Sequence, residues 1–119
     1  MQGLPEGVDL RPLAGAMVSQ VCISSAQFIL RMDSEAHIDV ESTCRYRRSS
    51  GGVAIEISSY ASAAASLCEL LGDSIRSAGR DRDGGLSIEF ASGAVLQVMN
   101  DNREYESFQV HLPPHVYVA

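Results

Sequence analysis

His111 and His115 are four residues apart, the spacing that sets two imidazoles on one face of a helix, but Pro113 and Pro114 stand between them. Two prolines exclude that helix, so the pair reads as surface histidines beside a turn, not as a metal centre. Cys44 has no histidine nearby in sequence, so a Cys–His nucleophile would depend on the fold to supply one. Asp81-x-Asp83-Gly84 has the opening of a calcium loop without its further acidic ligand or closing glutamate, and reads as a hairpin turn. There is no glycine-rich phosphate loop, no G-x-S-x-G and no H-E-x-x-H. The densest set of functional groups is Asp101-Asn102-Arg103-Glu104-Tyr105-Glu106-Ser107. If Tyr105 opens a strand, Glu104 and Glu106 share one face, where neighbouring carboxylates raise each other's pKa as in acid–base pairs. A polar loop entering a strand, with the Tyr105 ring packed, explains the segment more simply. Contact with a partner suits Asp101, Arg103, Glu104, Tyr105 and Glu106 better than catalysis does. Arg45, Arg47 and Arg48, with Tyr46 among them, form a second cluster, readable as a solvated strand end or as a contact for an acidic group. No catalytic residue, cofactor or metal ligand is assigned, and an enzyme is not expected.

Composition narrows the classes. A chain of 119 residues suits one domain, and 45 % apolar residues argue against global disorder. No apolar run approaches the length of a membrane helix. Residues 1–12 are polar, with Pro5, Gly7 and Pro12, so no secretory leader is read. Three widely spaced cysteines, Cys22, Cys44 and Cys68, are an odd set without C-x-x-C, which reads as reduced thiols in a cytoplasmic protein. The chain has 15 acidic and 9 basic residues, every basic one an arginine, for a net charge of −6. That balance argues against nucleic acid and suits a basic partner.

The elements that must position these groups follow from periodicity. Residues 1–12 form an N-terminal arm, 13–58 a first β-rich half, 59–71 a helix and 72–119 a second β-rich half. Strict alternation marks strands at Val18–Ile23, with Val18, Gln20 and Cys22 on one face, and at Phe28–Met32. A third strand at Ile38 and Val40 runs on to Tyr46, and a fourth spans Val53–Ile57. Tyr60, Ala63, Ala64, Leu67, Cys68 and Leu71 repeat at helical spacing, with Gly72 at the C-terminal cap. Strands follow around Ile75, at Leu86–Phe90, across the Ser92-Gly93 hairpin at Ala94–Met99, at Tyr105–Leu112 and at Val116–Val118.

The halves also align. Leu13-x-Gly15-x-x-Val18 matches Leu70-x-Gly72-x-x-Ile75, Phe28-x-Leu30-x-Met32 matches Leu86-x-Ile88-x-Phe90, and Ser34-x-Ala36-x-Ile38-x-Val40 matches Ser92-x-Ala94-x-Leu96-x-Val98. The expected fold is α+β: an antiparallel sheet or small partly closed barrel of about 7–9 short strands with one main helix over 59–71. If the halves are repeats, they share one topology.

Leu70 to Ile75, Leu86 to Phe90, Ser92-Gly93-x-x-Leu96 and Asp101 to Phe108 resemble a family of small bacterial proteins of unknown function, in which a Tyr-Glu-Ser segment follows a glycine hairpin. The resemblance covers mainly residues 67–118 and implies no activity for particular residues. Proteins of this size and style also occur as immunity proteins beside secreted toxins, an analogy of size and composition. The leading expectation is a non-enzymatic protein-interaction module, immunity-like in masking a partner protein. The alternative is a small-ligand-binding or regulatory domain with a pocket between sheet and helix. A small enzyme using Glu104, Glu106, His111 or Cys44 ranks third. Exposed edge strands are compatible with a homodimer; no membrane and no nucleic acid is expected as a partner.

Overall fold

Phe28, Leu30 and Met32 are buried while Arg31 between them is exposed, and the same order recurs at Leu86, Ile88 and Phe90 around exposed Glu89. Such alternation forms strands with one face on a core. The computed structural model describes residues 3–101 and 107–119. These run as β1 (Val18–Ile23), β2 (Phe28–Met32), β3 (His37–Val40), β4 (Cys44–Arg47), β5 (Ile55–Ile57), α1 (Ala64–Cys68), β6 (Ile75–Arg80), β7 (Leu86–Phe90), β8 (Val95–Val98), β9 (Phe108–Leu112) and β10 (His115–Val118). A 3-10 turn at Arg11–Leu13 precedes β1.

The strands make two five-stranded antiparallel sheets, ordered β1-β2-β3-β9-β10 and β5-β4-β8-β7-β6. Each half contributes a three-stranded meander to one sheet and a hairpin to the other. The expectation of a single sheet or partly closed barrel is corrected accordingly: the hairpins change partners, so neither sheet closes on itself. The third strand does not run on to Tyr46. It ends at Val40, and the chain crosses to the other sheet before β4 begins at Cys44. Inner faces of both sheets meet in one core that includes Phe28, Ile38, Val110, Tyr46, Ile88 and Leu96.

Both halves have the same topology. Each first strand carries an irregularity at its second residue, between Val18 and Gln20 in β1 and between Ile75 and Ser77 in β6. That bulge overturns the expected grouping of Val18, Gln20 and Cys22 on one face. An extra residue shifts the phase, so Val21 lies opposite buried Leu30, and Cys22 opposite Ile29. The two meanders are joined at an antiparallel bridge between Met17 and Ser74. Around it, Gly15 N–H donates to the Ile75 carbonyl (2.7 Å), Gly72 N–H to that of Val18 (2.8 Å), Val18 N–H to that of Asp73 (2.8 Å) and Ile75 N–H to that of Ala16 (2.8 Å). Gly15 and Gly72 reach these positions with φ of 86° and 82°, a region costly to residues with a Cβ.

The helix is shorter than expected, Ala64–Cys68 in place of 59–71. Three-residue hydrogen bonds tighten the chain on both sides: Ala64 N–H to the Ala61 carbonyl, Leu70 to Leu67 and Leu71 to Cys68. Those bonds favour three residues per turn, so Leu67 and Leu70 are buried while Cys68 and Leu71 face solvent. The 3-10 turn Arg11–Leu13, with buried Leu10 and Leu13, holds the matching place before β1. The segment expected as an arm is thus part of the core: Leu4 is 1 % exposed, and its carbonyl accepts from Arg80 Nε at 2.6 Å. Of the other strands, β5 starts only at Ile55, leaving Val53 exposed. The described part of the Tyr105–Leu112 strand is Phe108–Leu112, Tyr105 lying outside the described residues.

An ideal Cβ at Gly15 or Gly72 meets nothing within 4 Å. Gly15→Ala and Gly72→Ala are therefore expected to destabilise through backbone conformation alone, by about 1–2 kcal/mol each, and by similar amounts because the positions are equivalent. Urea unfolding checks both, and a neutral effect at either would contradict the left-handed geometry.

Candidate functional site

The outer face of the first sheet carries two cross-strand rungs. One runs Arg31, His37, His111, Val116, and the next runs Ile29, Asp39, Gln109, Val118. Residues directly opposite on antiparallel strands point the same way and lie within side-chain reach. His37 and His111 accordingly stack, with ring centroids 4.0 Å apart and planes at 14°. Asp39 lies beside both rings. Its Oδ1 is 2.8 Å from His37 Nδ1 and its Oδ2 is 3.6 Å from His111 Nε2. Gln109 Oε1 is 2.9 Å from the same His111 nitrogen. The three side chains His37, Asp39 and His111 are 22–24 % exposed. Partial burial and the neighbouring His37 hold His111 below the ordinary histidine value, with Asp39 acting against them. One ligand atom from each of the three lies within 4.8 Å of the other two, a grouping suited to a metal ion.

The second sheet has the same two rungs with other chemistry. Glu89, Val95 and Arg47 form one, and Ser87, Gln97, Arg45 and Glu56 the other. The arginine cluster expected from the sequence is divided here. Arg45 and Arg47 stand on the outer face, with Arg45 Nε 3.8 Å from Glu56. Arg48 turns toward α1, 3.1 Å from Glu69 and 3.3 Å from Ser66 Oγ. Tyr46, between them in sequence, faces inward; burial and its hydrogen bond to Glu69 push its hydroxyl up to about 12.

The other sequence candidates are not brought to the His37 cluster. Asp101 accepts from Thr43 N–H at 3.2 Å, steadying the crossover between sheets. Arg103, Glu104, Tyr105 and Glu106 lie outside the described residues. His111 and His115 fall on opposite faces of the β9–β10 hairpin, since His111 pairs with Val116 and His115 with Leu112. The sequence sets His111 beside His115 only to exclude that pair as a metal centre, and it does not single out His37 or Asp39. The signal available was His37-x-Asp39, two ligand types on one face of a strand.

Between the helix and the sheets, where a ligand pocket is the sequence-based alternative, Leu67 and Leu70 are fully buried. A surface groove of about 430 Å³ lies elsewhere, between Asp9 and Pro12, the β2–β3 turn at Ser34 and Glu35, and His115 and Tyr117 of the β9–β10 hairpin.

Cys44 faces the core, and burial, with Asp101 adding to it, pushes its thiol up to about 12. In a native-state labelling experiment with a soluble thiol reagent near pH 8, Cys68 is expected to react first, partly buried Cys22 more slowly, and Cys44 only on unfolding. Rapid native labelling of Cys44 would contradict the inward-facing β4.

The chain belongs to a family of unknown function (DUF6188), which matches residues 9–119. The match spans both halves of the fold. No curated protein matches the chain, and no solved structure does.

Proposed function

We propose that the protein is a non-enzymatic binding module that holds another protein against the outer face of its first sheet and the adjoining edge strand β10. One observation carries this reading: the two edge strands in equivalent positions differ in their protection. On β5 the outward residue is Glu56, held beside Arg45, and charge on an edge discourages pairing with another chain. On β10 the equivalent position is Val118, 38 % exposed, with Val116 at 53 % on the same outward face, whereas the exposed apolar residue of β5, Ile55 at 38 %, lies on the core-side face opposite Tyr46. Apolar side chains on a terminal strand, beside half-buried polar groups, suit β-strand addition or docking of a protein surface.

Two features favour binding over catalysis. Cys44 and His111, two of the candidates for an enzyme reading, belong to different sheets, and Cys44 faces the core. The net charge of −6 fits a basic protein as partner, which is the immunity-like form of the reading. No helix among the described residues is long and apolar enough to cross a membrane.

The test is affinity capture from the native host with quantitative mass spectrometry, comparing two charge-altered variants. Val116→Glu with Val118→Glu is expected to reduce recovery of a specific basic partner roughly tenfold or more, and Arg45→Glu with Arg47→Glu to leave it in place. Equal recovery with both variants would reject the face, and recovery of only a second copy of the chain would make the module a homodimer.

A further inference from the structure

Two imidazoles and one carboxylate are the donor set that zinc and its first-row neighbours take from proteins, whereas magnesium and calcium prefer oxygen alone. On the first sheet those donors come from two strands that are locked together. His37 and Asp39 are on β3 two residues apart, and His111 stands opposite His37 on β9. Zinc–ligand bonds are about 2.0–2.2 Å long, so ligand atoms on one ion stand roughly 3–4 Å from each other. The separations here, 2.8 and 3.6 Å from Asp39 to the two rings and none above 4.8 Å, bracket that range.

We propose that His37, Asp39 and His111 bind one divalent transition-metal ion of the zinc type on the outer face of the first sheet. Binding replaces the contacts that now join the three groups. Each imidazole keeps its proton on the nitrogen away from the ion, and Asp39 turns from His37 Nδ1, 2.8 Å from its Oδ1, to the metal. The rings, stacked at 4.0 Å, must turn about their Cβ–Cγ bonds to aim both lone pairs at one point. Both side chains lie on the solvent side of the sheet, so this rotation disturbs no core packing. Gln109, whose Oε1 lies 2.9 Å from His111 Nε2, gives up that contact when the nitrogen takes the ion and is placed to accept from a water on it. Three protein ligands leave a coordination position facing solvent, as in sites where a metal meets a substrate or a partner's side chain.

The fold supplies its own control. Equivalent positions of the second sheet hold Val95, Gln97 and Arg47, which cannot make this site. The scaffold does not require metal ligands at these positions, so their convergence in one sheet is a property of the sequence there. The inference stands apart from the partner reading, because it concerns the isolated chain.

The experiment is titration of the tag-free protein with Zn²⁺ by calorimetry and with Co²⁺ by visible absorption, in a Cys68→Ser background that removes the exposed thiol. One ion per chain is expected, with a cobalt spectrum of nitrogen and oxygen ligands and no sulfur charge-transfer band. Asp39→Asn, which preserves shape and hydrogen bonding, and His111→Ala are expected to abolish binding at micromolar metal. Gln109→Ala should weaken it about 10- to 100-fold, and His115→Ala should leave it unchanged. Circular dichroism of each variant separates lost binding from lost folding. Absence of uptake by the parent protein, uptake undiminished in folded Asp39→Asn, or equal loss in His115→Ala would each overturn the site.

Discussion

Between β3 and β4 the chain has only residues 41–43 in which to leave one sheet and enter the other. Instead of folding back beside β3 as a hairpin of the same sheet, β4 crosses over with Cys44 and Tyr46 still facing the core. It pairs with β8, and in return β9 pairs with β3. The exchange is pinned where the crossovers meet: Glu41 N–H donates to the Ser107 carbonyl and Met99 N–H to that of Thr43, each at 2.9 Å. Neither meander then has a complete sheet of its own. Each half's core is closed by strands from the other, and the contacts that hold the molecule together are largely distant in sequence, which favours unfolding as one unit.

The candidate site depends on that exchange. His37 and Asp39 come from the first half and His111 and Gln109 from the second, and they share a rung only because β9 has replaced β4 beside β3. An unexchanged arrangement with β4 beside β3 would set Arg45 and Arg47 next to His37 and Asp39. It would gather positive charge where the observed pairing gathers imidazoles around a carboxylate. Topology thus decides the chemistry of the face, even though its residues lie on the side of the sheet turned away from the core.

What the sequence disclosed follows from how local each signal is. Strands β2, β3, β7 and β8 were legible because one face of each is buried and the other is not, which writes period-two alternation into the residues. The repeat was legible for the same reason, since equivalent positions such as Phe28 and Leu86, or Ile38 and Leu96, answer to the same core. The face assignments in β1 were lost to a bulge, which alternation cannot represent. The helix was overextended because Tyr60, Leu67 and Leu71 sit at helical intervals, while their backbone is governed by tertiary ties: the Tyr60 hydroxyl donates to the Ser42 carbonyl at 2.8 Å and its ring meets Phe28 edge-on. The hairpin exchange left no local trace, and with it the His37–His111 pair stayed out of reach. Two residues so far apart in sequence meet through strand order, which alternation does not encode.

The pseudo-symmetry separates what packing demands from what it leaves free. At inward positions the halves agree: Leu30 matches Ile88, Ile38 matches Leu96 and Val40 matches Val98, each with zero exposure. At outward positions they diverge, His37 against Val95, Asp39 against Gln97, Gln109 against Arg45, His111 against Arg47 and Val118 against Glu56. Equivalent backbone sites in equivalent sheets present the same steric requirement, so the divergence cannot be attributed to the needs of the fold. On the second sheet the outward residues form a charged surface with a guarded edge, the arrangement that keeps a sheet from associating. On the first they form a carboxylate between two stacked imidazoles, bordered by an apolar edge. The fold gains nothing in stability from leaving Val116 and Val118 in water, and their place beside His111 and Gln109 makes the edge and the cluster one surface.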